Sequence, residues 1–305
     1  MSNSGKSVLV ISSHVIRGSV GTRVSVNALE QMGYAVWDML TVSMTWQPRH
    51  GPSHRLIVPV ADFKAWADDI IRSKWVGEIA AVMTGYFGSA EQIKITADLI
   101  KTLKQKNPHL VYFCDPVLGD EGGLYVGEDI AKETVEQLLP LADILKPNRS
   151  ELEWIVSKKL ETNHEIIEAA RKVGCKTTLV TSAWPLLKNA TGNLLVSDKS
   201  ILLAEHPLVK DPVNGLGDLT AALFLARILD GDNEEDALRF ATASVYTLLM
   251  ETTRHNAYEL MLESGLHRLG TLAERVTLRY LKDTAEVAKK NKRRGTVKAA
   301  QVSVK

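Results

Sequence analysis

Short, wholly apolar runs alternate along this chain with longer stretches in which apolar residues recur every three or four positions. The first kind is too short for an ordinary helix and reads as strands buried on both faces; the second reads as helices with one buried side. Strands are expected at Val8–Ile11, Tyr34–Leu40, Ile79–Met83, Leu110–Cys114, Asp143–Leu145 and Thr178–Val180. Between them the spacing predicts a helix carrying Val24, Ala28, Leu29 and Met32 and stopping at Gly33, then helices at Ala61–Trp75, Ala90–Gln105, Ile130–Leu139, Glu151–Val156 and His164–Val173. Gly192–Val196 and Ile201–Ala204, joined by four polar residues, read as a hairpin. The remainder is expected to be helical, over Leu219–Leu229, Glu234–Glu251, Ala257–Leu262 and Leu266–Lys289. This alternation predicts an α/β fold with a doubly wound, mostly parallel sheet flanked by helices. Right-handed crossovers then bring the strand C-terminal ends to one edge, where ligands bind. Ser12, Ser13, Thr84, Tyr86, Asp115, Asn148 and Thr181 all stand at such ends.

One stretch breaks the rhythm. Thr41–Val60 holds Pro48, Gly51, Pro52, Pro59, Trp46 and two histidines, and is too long and polar for a tight connection. It reads as a flap over about 41–60, with Met44–Trp46 and Arg55–Val58 as a small edge pair; the plainer alternative is a decorative surface loop. Residues 1–7 are expected to be a disordered leader, 8–288 one domain, and 289–305 a basic, disordered tail.

Composition narrows the function. The chain has 305 residues, 45% of them hydrophobic, with a net charge of +1, so its overall balance asks for neither nucleic acid nor membrane. No apolar run reaches the roughly 20 residues of a membrane span. Two cysteines in unrelated contexts, Cys114 and Cys175, argue against a disulfide framework and a cysteine-based metal site and fit a reducing cytoplasm. No paired-histidine motif points to zinc.

The sharpest local signal is Asp211–Ala222, D-P-V-N-G-L-G-D-L-T-A-A. Gly215 and Gly217 allow a tight turn and close approach of a ligand, and the apolar run behind them places Asp218 near a helix start. Unpaired amides and the positive dipole end make that start an anion site. A carboxylate there has a task if the anion is a moving phosphoryl group and the Asp accepts the proton of the attacking hydroxyl; otherwise it merely caps a helix. Asp115, Asn148 and Glu151 could together hold a hydrated Mg²⁺, although Asn148 and Glu151 also have the spacing of a helix capping box. Thr181 and Ser182 could bond phosphate oxygens.

Several stretches in this order resemble one family. They are Ser13-His14-Val15-Ile16-Arg17-Gly18 with Gly21, Thr84-Gly85-Tyr86-Phe87-Gly88-Ser89, Phe113-Cys114-Asp115-Pro116-Val117-Leu118-Gly119-Asp120, Pro147-Asn148 with Glu151, Val180-Thr181-Ser182, and Gly215-Leu216-Gly217-Asp218. Over about Val8 to Leu262 the chain resembles the pyridoxal kinases of the ribokinase-like superfamily of vitamin kinases. The resemblance implies ATP-dependent phosphorylation of the 5′-hydroxyl of pyridoxal. Asp218 would be the catalytic base, and the amides of Gly215, Leu216 and Gly217 would hold the γ-phosphoryl group. Ser13, Val20, Gln47, Tyr86, Asn214 and Asp218 would contact the alcohol substrate. Asp115, Asn148, Glu151, Thr181, Ser182, Val213, Leu216 and Gly217 would bind ATP, with Asp115 and Glu151 at the metal. Kinases of this kind use Mg²⁺, often with K⁺, and form homodimers. The chain departs from the resemblance at Thr45-Trp46-Gln47-Pro48, where relatives commonly carry Ser-Asn-His-Thr; at Lys146, where many have Thr; and at Leu216, a frequent Thr. The altered flap keeps open the same transfer onto another primary alcohol, such as hydroxymethylpyrimidine or a sugar; a rival of another class is a non-catalytic vitamer-binding protein that retains the fold.

Overall fold

The computed structural model describes residues 6–282. Its centre is a ten-stranded sheet of β1 (Ser7–Val15), β2 (Ala35–Met44), β3 (Arg55–Ile57), β4 (Ile79–Thr84), β5 (Val111–Cys114), β8 (Ile144–Leu145), β9 (Thr177–Ala183), β10 (Ala190–Ser197), β11 (Ile201–Pro207) and β12 (Thr277–Tyr280). Two-residue strands β6 (Gly119–Asp120) and β7 (Gly123–Leu124) form a separate small hairpin in the loop after β5. The large sheet runs β12-β11-β10-β9-β8-β5-β4-β1-β2-β3. The six strands from β9 to β2 are parallel, and antiparallel strands close both edges.

Alternation along β1 shows why the apolar runs are continuous. Val8 and Val10 enter one core with α1 (Thr22–Gln31), α7 (Leu216–Asp230) and α8 (Glu234–Arg254), while Leu9 and Ile11 enter a second core on the other face. That second face is covered by α2 (Val60–Arg72), α3 (Ala90–Lys106) and α4 (Glu128–Glu133). A third core joins α5 (Arg149–Val156) and α6 (Asn163–Val173) to β9, β10 and β11. The doubly wound, mostly parallel architecture is therefore present.

Most predicted elements lie within a few residues of the observed ones, but three segments differ. The helix expected over Ile130–Leu139 is α4 followed by a π turn, Thr134–Leu138, and a 3-10 turn, Leu139–Leu141, because Pro140 cannot continue an α-helix. The expected helix at Ala257–Leu262 is absent; a single turn, α9 (Leu262–Gly265), follows instead. The long helix expected over Leu266–Lys289 is contradicted up to residue 282. Two 3-10 turns, Leu266–Arg268 and Ala273–Arg275, flank Gly270 at φ 74°, and β12 then pairs with β11. Tertiary pairing overrides helical spacing here, since β12 covers the open edge of β11 and Arg279 Nε donates to buried Glu205 at 3.0 Å. The flap is built as expected from an edge pair, but that pair belongs to the main sheet: Val42, Ser43 and Met44 of β2 pair with Ile57, Leu56 and Arg55 of β3. At the N-terminus, β1 already includes Ser7, the last residue of the expected leader. The rest of that leader up to residue 5, and the basic tail 289–305, lie outside the described residues.

Candidate active site

A staggered set of main-chain hydrogen bonds carries the sheet past its strand ends. Gly85 N donates to Ile11 O at 2.9 Å, Asp115 N to Thr84 O at 3.1 Å, Lys146 N to Cys114 O at 2.8 Å, and Thr181 N to Pro147 O at 3.0 Å. The residues that follow β4, β5 and β8, with Thr181 inside β9, are thereby held in register along one edge. This edge includes the point where the chain leaves β1 toward β2 on one side and crosses to β4 on the other.

α7 opens onto this edge. Its N-cap, Gly215, is left-handed at φ 90°, and a Cβ there would stand 2.0 Å from Ser19 O, so only glycine fits. Gly217 differs. It lies outside the left-handed region, and its Cβ would meet only Lys146 Nζ at 3.5 Å, an ordinary contact. Nothing inside the protein requires glycine at 217, and the residue is exposed. The space it leaves faces a helix N-terminus with no side-chain cap. Asp218, in the first turn, accepts a hydrogen bond from Gly21 N at 2.9 Å. Gly21 is itself irreplaceable, at φ 59° with a Cβ position 2.2 Å from Ser13 O.

The electrostatics centre on one ammonium. Lys146 is 3% exposed and its Nζ lies 3.0 Å from Oδ2 of buried Asp115. Desolvation opposes its charge, but Asp115, Glu151 and Asp218 outweigh it and hold its pKa above the usual lysine value. Burial, then the charge of Asp115, pushes Asp218 up to about 6, against the stabilising Gly21 amide and Lys146. Glu151 is pushed up to about 7 by burial and then Asp115. A carboxylate titrating near 6 at an amide-lined helix start can take a proton at neutral pH while an anion sits beside it.

Glu151 does something its spacing alone left open. It forms the capping box with Asn148: Asn148 Oδ1 accepts from Glu151 N, and Glu151 Oε2 from Asn148 N, at 2.9 and 2.7 Å. Its Oε1 accepts from Leu118 N at 2.8 Å and Gly119 N at 3.3 Å. These bonds pin the loop after Asp115, in which β-branched Val117 takes a strained φ of 44°. Both Glu151 oxygens are thus occupied, and Asp115 spends Oδ2 on Lys146. No cluster of three metal-ligating side chains occurs among the described residues. The pair could hold a hydrated Mg²⁺ through its waters.

The other end of the edge is framed by β1, the loop after β4 and the flap. Ser13 is buried near the end of β1, and the neighbouring Ser12 Oγ accepts from Tyr86 N at 3.1 Å. Tyr86 OH accepts from Arg55 of β3 at 2.9 Å. Gln47 is 3% exposed in the flap, where its Oε1 accepts from Asn214 Nδ2 and its Nε2 donates to Glu259 at 2.9 Å. Glu259 also receives His50 Nε2 at 2.6 Å and Ser19 N at 3.4 Å, and Arg49 donates to Pro212 O at 2.8 Å. The flap is therefore tied to the loops on both sides of α7 and α8.

The structure brings Asp218, Gly215, Leu216, Gly217, Ser13, Tyr86, Gln47 and Asn214 to one side of the edge and Asp115, Asn148, Glu151 and Thr181 to the other. Val20, partly exposed, precedes Gly21, and Val213 packs at the rim of the first core. Thr181 bridges to Asn148, whereas Ser182 is exposed at φ 55° with its carbonyl held by Arg149. Lys146, Gly21, His50 and Glu259 contact these candidates, and motif reading assigns none of them a role. Lys146 was visible as a departure beside Pro147-Asn148; Glu259, in an unpatterned loop, carried no signal. A cavity of about 630 Å³ opens at the opposite edge, by Val111, Ile144 and Thr177, and belongs to none of this.

Comparison with known proteins places the whole chain. The phosphomethylpyrimidine kinase family model matches residues 21–262. The pyridoxal kinase PdxY of Burkholderia thailandensis is 31% identical over 278 residues, 88% of this chain and 96% of that protein. PdxY of Rubrobacter xylanophilus is 33% identical over 272 residues, 87% and 94% of the two. Pyridoxal kinase from Entamoeba histolytica superposes with a TM-score of 0.84 at 25% identity, over 92% of this chain and 100% of that one. The Leishmania donovani pyridoxal kinase in complex with ADP and pyridoxamine gives 0.84 at 25% identity, over 91% and 100%. With half its length and more inside one family model and such identity across nearly whole relatives, this chain belongs to the phosphomethylpyrimidine kinase family and, within it, to the phosphotransferases of the pyridoxal kinase group.

Proposed function

We propose that the chain transfers the γ-phosphoryl group of ATP to the 5′-hydroxyl of pyridoxal, with Asp218 as the general base. One observation carries this reading: a carboxylate titrating near 6 is held by the Gly21 amide at a helix start whose Gly217 has no internal reason to be glycine. In the reaction, amides of Gly215, Leu216 and Gly217 hold the phosphoryl group in place. Asp218 takes the hydroxyl proton as the oxygen attacks in line. Ser13, Val20, Tyr86 and the Gln47–Asn214 pair enclose the ring, and Thr181, Ser182 and Val213 with Asn148 receive the nucleotide. Asp115 and Glu151 would hold Mg²⁺ through its water shell, and the ion would neutralise charge on the phosphates. K⁺ is a second cation to test, by exchanging KCl for NaCl in the assay.

Two unpaired cysteines support a reducing cytoplasm as the setting. No helix among the described residues is long and apolar enough to cross a membrane. A homodimer is supported by the exposed apolar edge of Ile16, Leu56, Ile57 and Val60, and light scattering measures it.

The test is formation of pyridoxal 5′-phosphate from Mg-ATP, wild type beside Asp218→Asn. Turnover that falls about 10²–10⁴-fold in the variant is expected for a lost general base. ATP binding without pyridoxal turnover would move the reaction to another alcohol. Hydroxymethylpyrimidine is the competitor to include, because the Gln47–Glu259–His50 network replaces the flap residues of the resembling kinases.

A further inference from the structure

Lys146 is a charge that the proposed reaction does not yet use. It follows β8, 3% exposed, with its ammonium 3.0 Å from Asp115 Oδ2. Neutralising Asp115 would explain a lysine anywhere around that carboxylate. Its actual place is narrower: Nζ lies 3.5 Å from the position a Gly217 Cβ would occupy, beside the uncapped start of α7. A cation at a helix N-terminus is repelled by the dipole and by the amides that converge there. The charges of Asp115, Glu151 and Asp218 counter this repulsion. The ammonium therefore lies beside the first turn of α7, and the species that would satisfy both it and the uncapped amides is an anion.

We propose that Lys146 is a further phosphate-contacting residue of this enzyme, its ammonium held by Asp115 against the γ-phosphoryl group of bound ATP. The inference rests on the phosphoryl-transfer reading. In the step, the bond from the γ-phosphorus to the bridging oxygen breaks and the bond to the alcohol oxygen forms. The hydroxyl proton passes to Asp218, and Lys146 keeps its proton throughout, supplying fixed charge where the transferring group carries most of it. A lysine does this as a point charge on a flexible stem, needing no bidentate geometry. The neighbouring Asp115 sets where that stem ends.

The experiment compares binding of Mg-ADP and of a non-hydrolysable Mg-ATP analogue by calorimetry, in wild type and Lys146→Met. Contact with the γ-phosphate predicts that the variant loses about tenfold or more in affinity for the analogue beyond any loss for ADP, the scale of one charge-assisted hydrogen bond. Turnover should fall about 10²–10³-fold, and Lys146→Ala should regain part of it with ethylammonium but not with tetramethylammonium at equal ionic strength. A lysine that only balances Asp115 would change both nucleotides alike and give no amine rescue, and either result overturns the proposal. Because the ratio of two affinities is read on folded protein, partial unfolding does not disturb it. If Lys146→Met does not fold, the charge-balanced Lys146→Met/Asp115→Asn is compared with Asp115→Asn in the same way. Should the wild type fail to phosphorylate pyridoxal, the substrate reading falls while the nucleotide ratio still decides the role of Lys146.

Discussion

Replacing Gly217 with alanine should leave the protein at least as stable while stopping the reaction, and replacing Gly215 should do the reverse damage. The two glycines are separated by one residue, yet the structure gives them different reasons for lacking a side chain. At 217 the added methyl meets only Lys146 Nζ, at 3.5 Å, and the residue lies in the first turn of α7 outside the left-handed region. Alanine at a compatible helical position stabilises by about 0.4–1 kcal/mol, mainly by restricting the unfolded chain. The same methyl fills the space in front of the helix amides. Loss of one such donor to a reacting anion costs about 10²–10³-fold in kcat. At 215 the methyl would stand 2.0 Å from Ser19 O in a backbone at φ 90°. Left-handed geometry alone costs about 1–2 kcal/mol, and the clash must push the loop that carries Gly21, so a total of about 3 kcal/mol is expected. Thermal unfolding with steady-state kinetics checks both variants. An active Gly217→Ala enzyme would show that no phosphoryl group rests against α7. A Gly217→Ala protein less stable than wild type would show that the glycine serves packing.

Asp218 gives a pH test. Its pKa of about 6 means that kcat/KM should fall about tenfold per pH unit below that value, as the base becomes protonated. The folded pKa lies above the ordinary 3.8, so the ionised carboxylate destabilises the fold at neutral pH and this penalty fades as pH falls through 6. Asp218→Asn should therefore melt higher than wild type at pH 7.5 and show a smaller difference at pH 5; equal gains at both values would refute the assignment. Glu151→Ala removes the acceptor for the amides of Leu118, Gly119 and Asn148, and about 3 kcal/mol or more of stability should go with it, read from denaturant midpoints. Glu259→Ala frees Gln47 and His50 of the flap and should raise KM for the alcohol about tenfold with a smaller effect on ATP; an unchanged KM would detach Glu259 from the substrate side.

What could be read from the chain in advance follows from which interactions are local. β1 announces itself because Val8, Leu9, Val10 and Ile11 must satisfy a core on each face, and a parallel strand buried on both sides leaves no polar position. Gly215 and Asp218 are legible for a similar reason: a left-handed N-cap and a first-turn acid are requirements of the backbone within four residues. β12 is the opposite case. Its residues have helical spacing upstream and only four strand positions, and what makes them a strand is the vacant edge of β11, more than seventy residues earlier in sequence. Glu151 shows an intermediate case. The capping box could be read from Asn148 and Glu151, but the second oxygen's grip on Leu118 and Gly119 depends on a loop thirty residues away.

The same argument explains why the flap was the least legible part of the site. A motif is recognisable when its residues meet the ligand or one another nearby. Here Gln47 is buried by partners at Asn214 and Glu259, and His50 ends on Glu259, so the meaning of the flap lies in two loops some two hundred residues on. That arrangement has a consequence for chemistry. Asn214 directly precedes the N-cap of α7, so one side chain links the cover of the alcohol pocket to the backbone that shapes the anion site. Ser19 completes the loop from the other direction, since its carbonyl excludes any side chain at Gly215 while its amide reaches Glu259. Gln47 and His50 are therefore positioned by Glu259 and Asn214 rather than by their sequence neighbours alone. The Gly215–Asp218 turn depends instead on main-chain groups, the Ser19 carbonyl against Gly215 and the Gly21 amide on Asp218.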